Sequence, residues 1–278
     1  MSGDNKQSNY SIIIEEGKED QTLQREIRLA RNIQMKLLNG SDPEIDHTSL
    51  AGTSLPARLI GGDYYDFYKL SDNKIRVVIG DVMGKGIPAA MLMILTRGAF
   101  RSASENTQGP AETLTAMNNA IYRDLKQLKS FVTLFCCDWD VEHNTITYAN
   151  AGHVLPMHIK EKGVESLETV SGIMLGGLPN QAYEEKSISI DHGETVFFYT
   201  DGIVEAQNGK GEFYQTERLR NLLQELYGNE VSEIEEAVSD SLFQFTQGEA
   251  QKDDITMVIL QNDDPNSAIQ GYNSPINT

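Results

Sequence analysis

The sequence predicts an α+β fold in which antiparallel sheets are flanked by helices. Three observations carry that prediction. Short β-forming runs are joined by tight turns, as at Ser71-Asp72-Asn73. Two helical stretches separate two blocks of strands. The strict strand–helix alternation that builds a doubly wound parallel sheet is absent. A length of 278 residues suits one such domain with flanking segments.

Residues 1–18 read as a flexible N-terminal segment with a short apolar run at Ser11-Ile12-Ile13-Ile14. From 19 to 39, Leu23, Ile27, Ala30, Ile33, Gln34 and Leu37 recur at spacings of three and four, the signature of a helix. Gly40 and Pro43 stop it, so 19–43 is a helix and linker. That helix either packs on its own domain or serves dimerisation or signal transmission. The globular domain is placed at 44–261. Its strands are expected at 64–70, 74–80, 131–140, 145–149, 154–160, 187–190, 195–199 and 255–260, where β-branched and aromatic residues concentrate. Helices are expected at 88–104, opened by Pro88, at 111–128 after Gly109-Pro110, at 216–227 and at 231–246. The tail from 262 to 278 is rich in Asn, Asp, Ser, Pro and Gly and is expected to be disordered.

Composition removes several functional classes. The formal net charge is −18, which opposes binding to nucleic-acid phosphates and to anionic membranes. No apolar run reaches the ~18 residues of a membrane span, and the N-terminus lacks a signal-peptide core; a cytoplasmic protein is expected. The two cysteines, Cys136 and Cys137, are adjacent in a strand and so point to opposite faces. That arrangement suits buried free thiols and neither a disulfide framework nor a zinc site.

The chemistry concentrates in four carboxylate clusters at strand ends: Gly61-Gly62-Asp63-Tyr64-Tyr65-Asp66, Gly80-Asp81-Val82-Met83-Gly84-Lys85-Gly86, Thr200-Asp201-Gly202 and Asp253-Asp254. Each alone is ordinary turn chemistry. Four in one chain can converge on one point from distant segments. Oxygen donors without His or Cys select Mg²⁺, Mn²⁺ or Ca²⁺ over zinc or copper. Such a cluster can hold two cations about 3.5–4 Å apart and thereby generate a nucleophilic water near neutral pH. No Gly-x-Ser-x-Gly elbow supports a serine nucleophile, and Lys85 is not followed by the Ser or Thr of a P-loop.

These stretches, with Ala30-Arg31-Asn32-Ile33-Gln34, Phe131-Val132-Thr133, Tyr148-Ala149-Asn150-Ala151-Gly152-His153 and Glu205-Ala206, resemble the SpoIIE/RsbU-type branch of the metal-dependent Ser/Thr protein phosphatases (PPM, the type 2C superfamily). They occur in the family's order over about residues 30–260. The resemblance implies an α-β-β-α sandwich of two antiparallel sheets, with Mn²⁺ or Mg²⁺ as two ions at one end. It implies metal ligation by Asp63, Asp81, the Val82 carbonyl, Asp201, Asp253 and Asp254, with Asp81, Asp201 and Asp253 as the catalytic set. Arg58 stands where type 2C enzymes keep a phosphate-binding arginine; a solvated surface arginine is the other reading. His153 is either a general acid or a turn residue with a structural hydrogen bond, the second being favoured. Tyr214 departs from the family, which usually has glycine there.

The implied activity is hydrolysis of phosphoserine or phosphothreonine on a protein, with a phosphorylated STAS-type anti-sigma-factor antagonist as substrate in a partner-switching circuit. A regulatory partner or a homodimer through the 19–39 helix is the implied means of control. A weakly catalytic scaffold for a partner kinase or antagonist, and a hydrolase of small phosphate esters, are the alternatives.

Overall fold

A computed structural model describes residues 4–38 and 43–263, with side chains from residue 21 onward. In chain order the elements are α1 (Asp4–Leu38), β1 (Thr48–Leu55), β2 (Tyr64–Ser71), β3 (Lys74–Val82), α2 (Ile87–Ser104), α3 (Pro110–Leu128), β4 (Val132–Asp140), β5 (Thr145–Ala151), β6 (Met157–Lys160), β7 (Gly163–Ser166), β8 (Lys186–Ser189), β9 (Thr195–Tyr199), α4 (Asp201–Val204), α5 (Thr216–Glu225), α6 (Val231–Thr246) and β10 (Ile255–Asn262).

The strands form two five-stranded antiparallel sheets, ordered β1-β10-β9-β6-β7 and β2-β3-β4-β5-β8. Alternation along each central strand serves two cores at once, because successive side chains point to opposite faces. In β3, Ile75, Val77 and Ile79 enter the layer between the sheets, where they meet Phe198, Val258 and Leu260 of the other sheet. Val78 and Val82 turn outward beneath α2 and α3, against Met93, Phe100 and Leu114. On the far side, Phe197, Met257 and Ile259 pack under Leu219 and Leu223 of α5 and Val238 of α6. The result is the expected α-β-β-α sandwich.

Cys136 and Cys137 are both buried and free, one in the helix-facing core and one between the sheets. Tyr214 fills the space between α5 and α6, meeting Phe245 edge-on at 5.4 Å and sharing a 2.7 Å hydrogen bond with Ser241. A glycine there would leave that core open. On the outer face of the second sheet, Arg76 and Asp138 are cross-strand partners buried beneath the helices. Arg76 donates to both carboxylate oxygens, at 2.7 and 2.9 Å, and to Thr107 at 2.9 Å.

Three differences from the sequence reading stand out. The first helix starts at Asp4 and not at Glu19, so most of the segment expected to be flexible lies within α1; no proline interrupts it. Strand β1 was not anticipated, because Thr48–Leu55 is mostly small and polar residues and, among the described strands, pairs with β10 alone. Asn262, assigned to the tail, is buried as the last residue of β10, while 264–278 lie outside the described residues. Among the described residues no helix is long and apolar enough to cross a membrane.

Candidate metal centre

Four chain segments deliver carboxylates to one end of the sandwich. Asp63 immediately precedes β2; Asp81 and Val82 end β3; Asp201 follows β9 and opens α4; Asp253 and Asp254 immediately precede β10. Three of these strands are apolar and buried, so each emerges from the core where a polar residue ends it.

Asp63 is the deepest of the set. Thr200 donates to it at 2.8 Å, and the same Thr200 hydroxyl accepts from the Thr256 amide at 3.1 Å, so β9 and β10 together hold this carboxyl. Burial drives its pKa well above the usual carboxylate range, and the charge of Asp81 drives it further. Asp81 is pushed up to about 7, by burial first and then by Asp201, Asp253 and Asp254; Asp63 hydrogen-bonds it and partly offsets the shift. Asp201 is raised by burial, then by Glu205 and Asp253. These shifts record negative charge gathered without enough positive charge to balance it. The one ion pair at the cluster among the described residues is Lys85 Nζ with Asp253, at 2.7 Å. An ammonium thus occupies one side of the cluster, where a cation is electrostatically favoured.

Asp254 does something different from its neighbours. Its two oxygens accept from the amides of Ala57 at 2.7 Å, Gly62 at 2.6 Å and Asp63 at 3.4 Å. It therefore clamps the turn that carries Asp63. That closeness explains two glycines: a Cβ on Gly61 would stand 2.4 Å from the Asp254 carboxylate, and one on Gly202 would stand 1.9 Å from the Asp254 carbonyl. Among the described residues no three His, Cys, Asp or Glu side chains are close enough as placed to grip a single ion. Asp81, Asp201 and Asp253 sense one another's charge, but Asp253 is turned to Lys85 and Asp254 to backbone amides. The all-oxygen donor set and its unbalanced charge still fit a hard divalent cation.

One consequence concerns pH. A cation has to displace the proton from Asp81, so its affinity should rise about tenfold between pH 6 and pH 8 and then level off. Calorimetric titration of Mn²⁺ across that range measures this, and a flat profile would contradict it.

Arg58 is exposed in the loop between β1 and β2, next to Gly86 and beside Lys85. His153 is buried, and both ring nitrogens are used. Nε2–H donates to the Tyr199 carbonyl at 3.1 Å, and Nδ1 accepts from Thr133 at 3.0 Å. Burial lowers its pKa to about 4, so the ring is neutral and structural. Sequence reasoning assigned no role to Thr200, Lys85 or Gln34. The two adjacent motif residues, Thr200 before Asp201 and Lys85 after Gly84, offered a local signal; Gln34 acts across a long stretch of chain.

Comparison with known proteins agrees with this architecture. The profile of the SpoIIE family (Stage II sporulation protein E) matches residues 71–263. Phosphoserine phosphatase RsbU of Bacillus subtilis is 28% identical over 242 residues, 87% of this chain and 71% of RsbU. Protein IcfG of Synechocystis is 30% identical over 262 residues, 84% of this chain but 41% of IcfG, so the chain spans less than half of that relative. Among solved structures, the SiaA-PP2C domain of Pseudomonas aeruginosa superposes with a TM-score of 0.75 at 20% identity, covering 88% of this chain and 99% of that domain. With the motifs in order and the two-sheet sandwich in place, the chain belongs to the SpoIIE/RsbU-type family of PPM protein phosphatases.

Proposed function

We propose that this chain hydrolyses phosphoserine or phosphothreonine on a partner protein, using Asp81, Asp201, Asp253 and the Val82 carbonyl to hold Mn²⁺ or Mg²⁺ as two ions. The observation that carries the reading is the set of strand-end carboxylates gathered at one end of the sandwich, where burial first and their mutual charge second lift Asp81 to about 7. Membership of the family implies a divalent metal. When bound, the metal supplies an acidified water and neutralises charge on the phosphoryl group.

The chain's own residues prepare the rest. Asp63, held by Thr200, keeps Asp81 in place. Asp254 fixes the turn that carries Asp63. Arg58, exposed beside the Lys85-Gly86 turn, is positioned to meet phosphate oxygens, for which a guanidinium is a bidentate donor. No covalent protein nucleophile is required. A phosphorylated STAS-type antagonist is the substrate class the family resemblance supports. The exposed apolar residues of α1, Leu23, Leu29 and Ile33, favour a regulatory partner or a second copy along that helix.

A phosphoserine peptide compared with a nucleoside monophosphate tests the substrate class. Turnover should favour the peptide by at least about tenfold, since the site is open at the surface. Equal or better turnover of the monophosphate would support the small-ester alternative.

A further inference from the structure

From residue 21 to residue 33 helix α1 is almost entirely exposed, yet one polar side chain near its end is buried. Gln34 is 4% exposed, while residues 21–33 are all exposed apart from the half-buried Ile27. Its side-chain amide uses both ends on a single residue of the carboxylate-bearing turn. Nε2 donates to the Gly61 carbonyl at 2.7 Å, and Oε1 accepts from the Gly61 amide at 3.2 Å. A two-point grip of this kind fixes the orientation of a peptide group, where a single bond would let it swing.

The same turn is held from its other side by Asp254, through the amides of Gly62 and Asp63. Three consecutive residues, Gly61, Gly62 and Asp63, are therefore pinned between an amide from α1 and a carboxylate that precedes β10. With no Cβ, Gly61 lets the Asp254 carboxylate approach from that side. Helix α1 meets the domain at this point and through Leu38, which lies in the core beneath α2 and α3.

We infer that Gln34 is a positioning residue, whose amide holds the Gly61-Gly62-Asp63 turn in the conformation that brings Asp63 against Asp81. The inference rests on the metal-phosphatase reading above. Gln34 touches neither substrate nor metal; it acts through the turn. A residue that only fastened α1 to the domain would contribute to stability and leave cation affinity alone.

The test uses the full chain and Mn²⁺ titrated by calorimetry, with thermal denaturation of the metal-free protein alongside. Gln34→Met keeps the length and most of the volume of the side chain but removes both hydrogen bonds. Leu38→Ala loosens the end of α1 without touching the turn. The expected result is Mn²⁺ binding weakened about 10–100-fold in Gln34→Met, the range seen when groups that orient ligands are lost, with a midpoint temperature within a few degrees of wild type. Leu38→Ala should show the reverse pattern, a lower midpoint with near-normal Mn²⁺ affinity. Wild-type affinity in Gln34→Met, or an equal loss in Leu38→Ala, would overturn the positioning role while leaving the metal site standing. Absence of Mn²⁺ binding by the wild-type chain would overturn both readings.

Discussion

Asp201→Asn is expected to lower both Mn²⁺ affinity and phosphate release by at least about 100-fold, because it removes an anionic ligand and not merely a group that orients one. The variant should nonetheless fold. Asp201 is the first residue of the short helix α4, and asparagine keeps its shape there. The sign of the stability change separates this account from a structural role. Asp81 has a folded pKa near 7, well above its unfolded value, so its ionisation disfavours the folded state increasingly as pH rises from about 4 towards 7. Asp201 is the largest charge behind that shift after burial itself. Removing it should therefore leave the metal-free protein at neutral pH as stable as wild type, or more so. Calorimetric titration and thermal denaturation of the same samples read both effects. Full activity in the variant, or a marked fall in metal-free stability, would contradict the assignment.

Asp138→Ala should destabilise the fold by about 3–5 kcal/mol, the cost of leaving a buried charge without its partner. Arg76 and Asp138 are 0% and 1% exposed, and the carboxylate receives two of the guanidinium's hydrogen bonds. Burial by itself lowers the Arg76 pKa, but on balance it is raised, the hydrogen bond to Asp138 being the largest opposing cause, so the arginine stays charged in the fold. Without Asp138 it keeps, among the described residues, only Thr107 as a side-chain hydrogen-bond partner. Urea denaturation should show a lower midpoint at unchanged slope. Replacing both partners with apolar residues, as in Arg76→Met with Asp138→Leu, should recover most of the loss, since no buried charge is then orphaned. A loss below about 1 kcal/mol in Asp138→Ala would mean that water reaches the pair.

The sandwich could be read from sequence where local chemistry and tertiary role agree. Ile75–Ile79 and Thr195–Tyr199 are apolar, β-branched or aromatic, and they became central strands of the two sheets. Strand β1 could not be read that way, because its mostly small and polar residues become a strand through pairing with β10, the last of the described strands. The same division runs through the site. Asp81 and Asp201 announce themselves by ending apolar strands. The clamp formed by Asp254 joins residues that lie nearly two hundred positions apart and leaves no local trace. Gln34 is equally silent. In sequence it is one more position on a helical stripe, and the buried amide grip exists only once the Gly61 turn is folded against it. Tyr214, a departure from the family pattern, turned out to be a packing residue between α5 and α6.

Release of inorganic phosphate from a phosphoserine STAS-type protein by the wild-type chain, with and without Mn²⁺, tests the central claim most directly. Turnover that appears with Mn²⁺, disappears on chelation and returns when the metal is restored is the predicted result. Metal-independent release would contradict it, as would Mn²⁺ binding at Asp81, Asp201 and Asp253 without any release from the phosphoprotein.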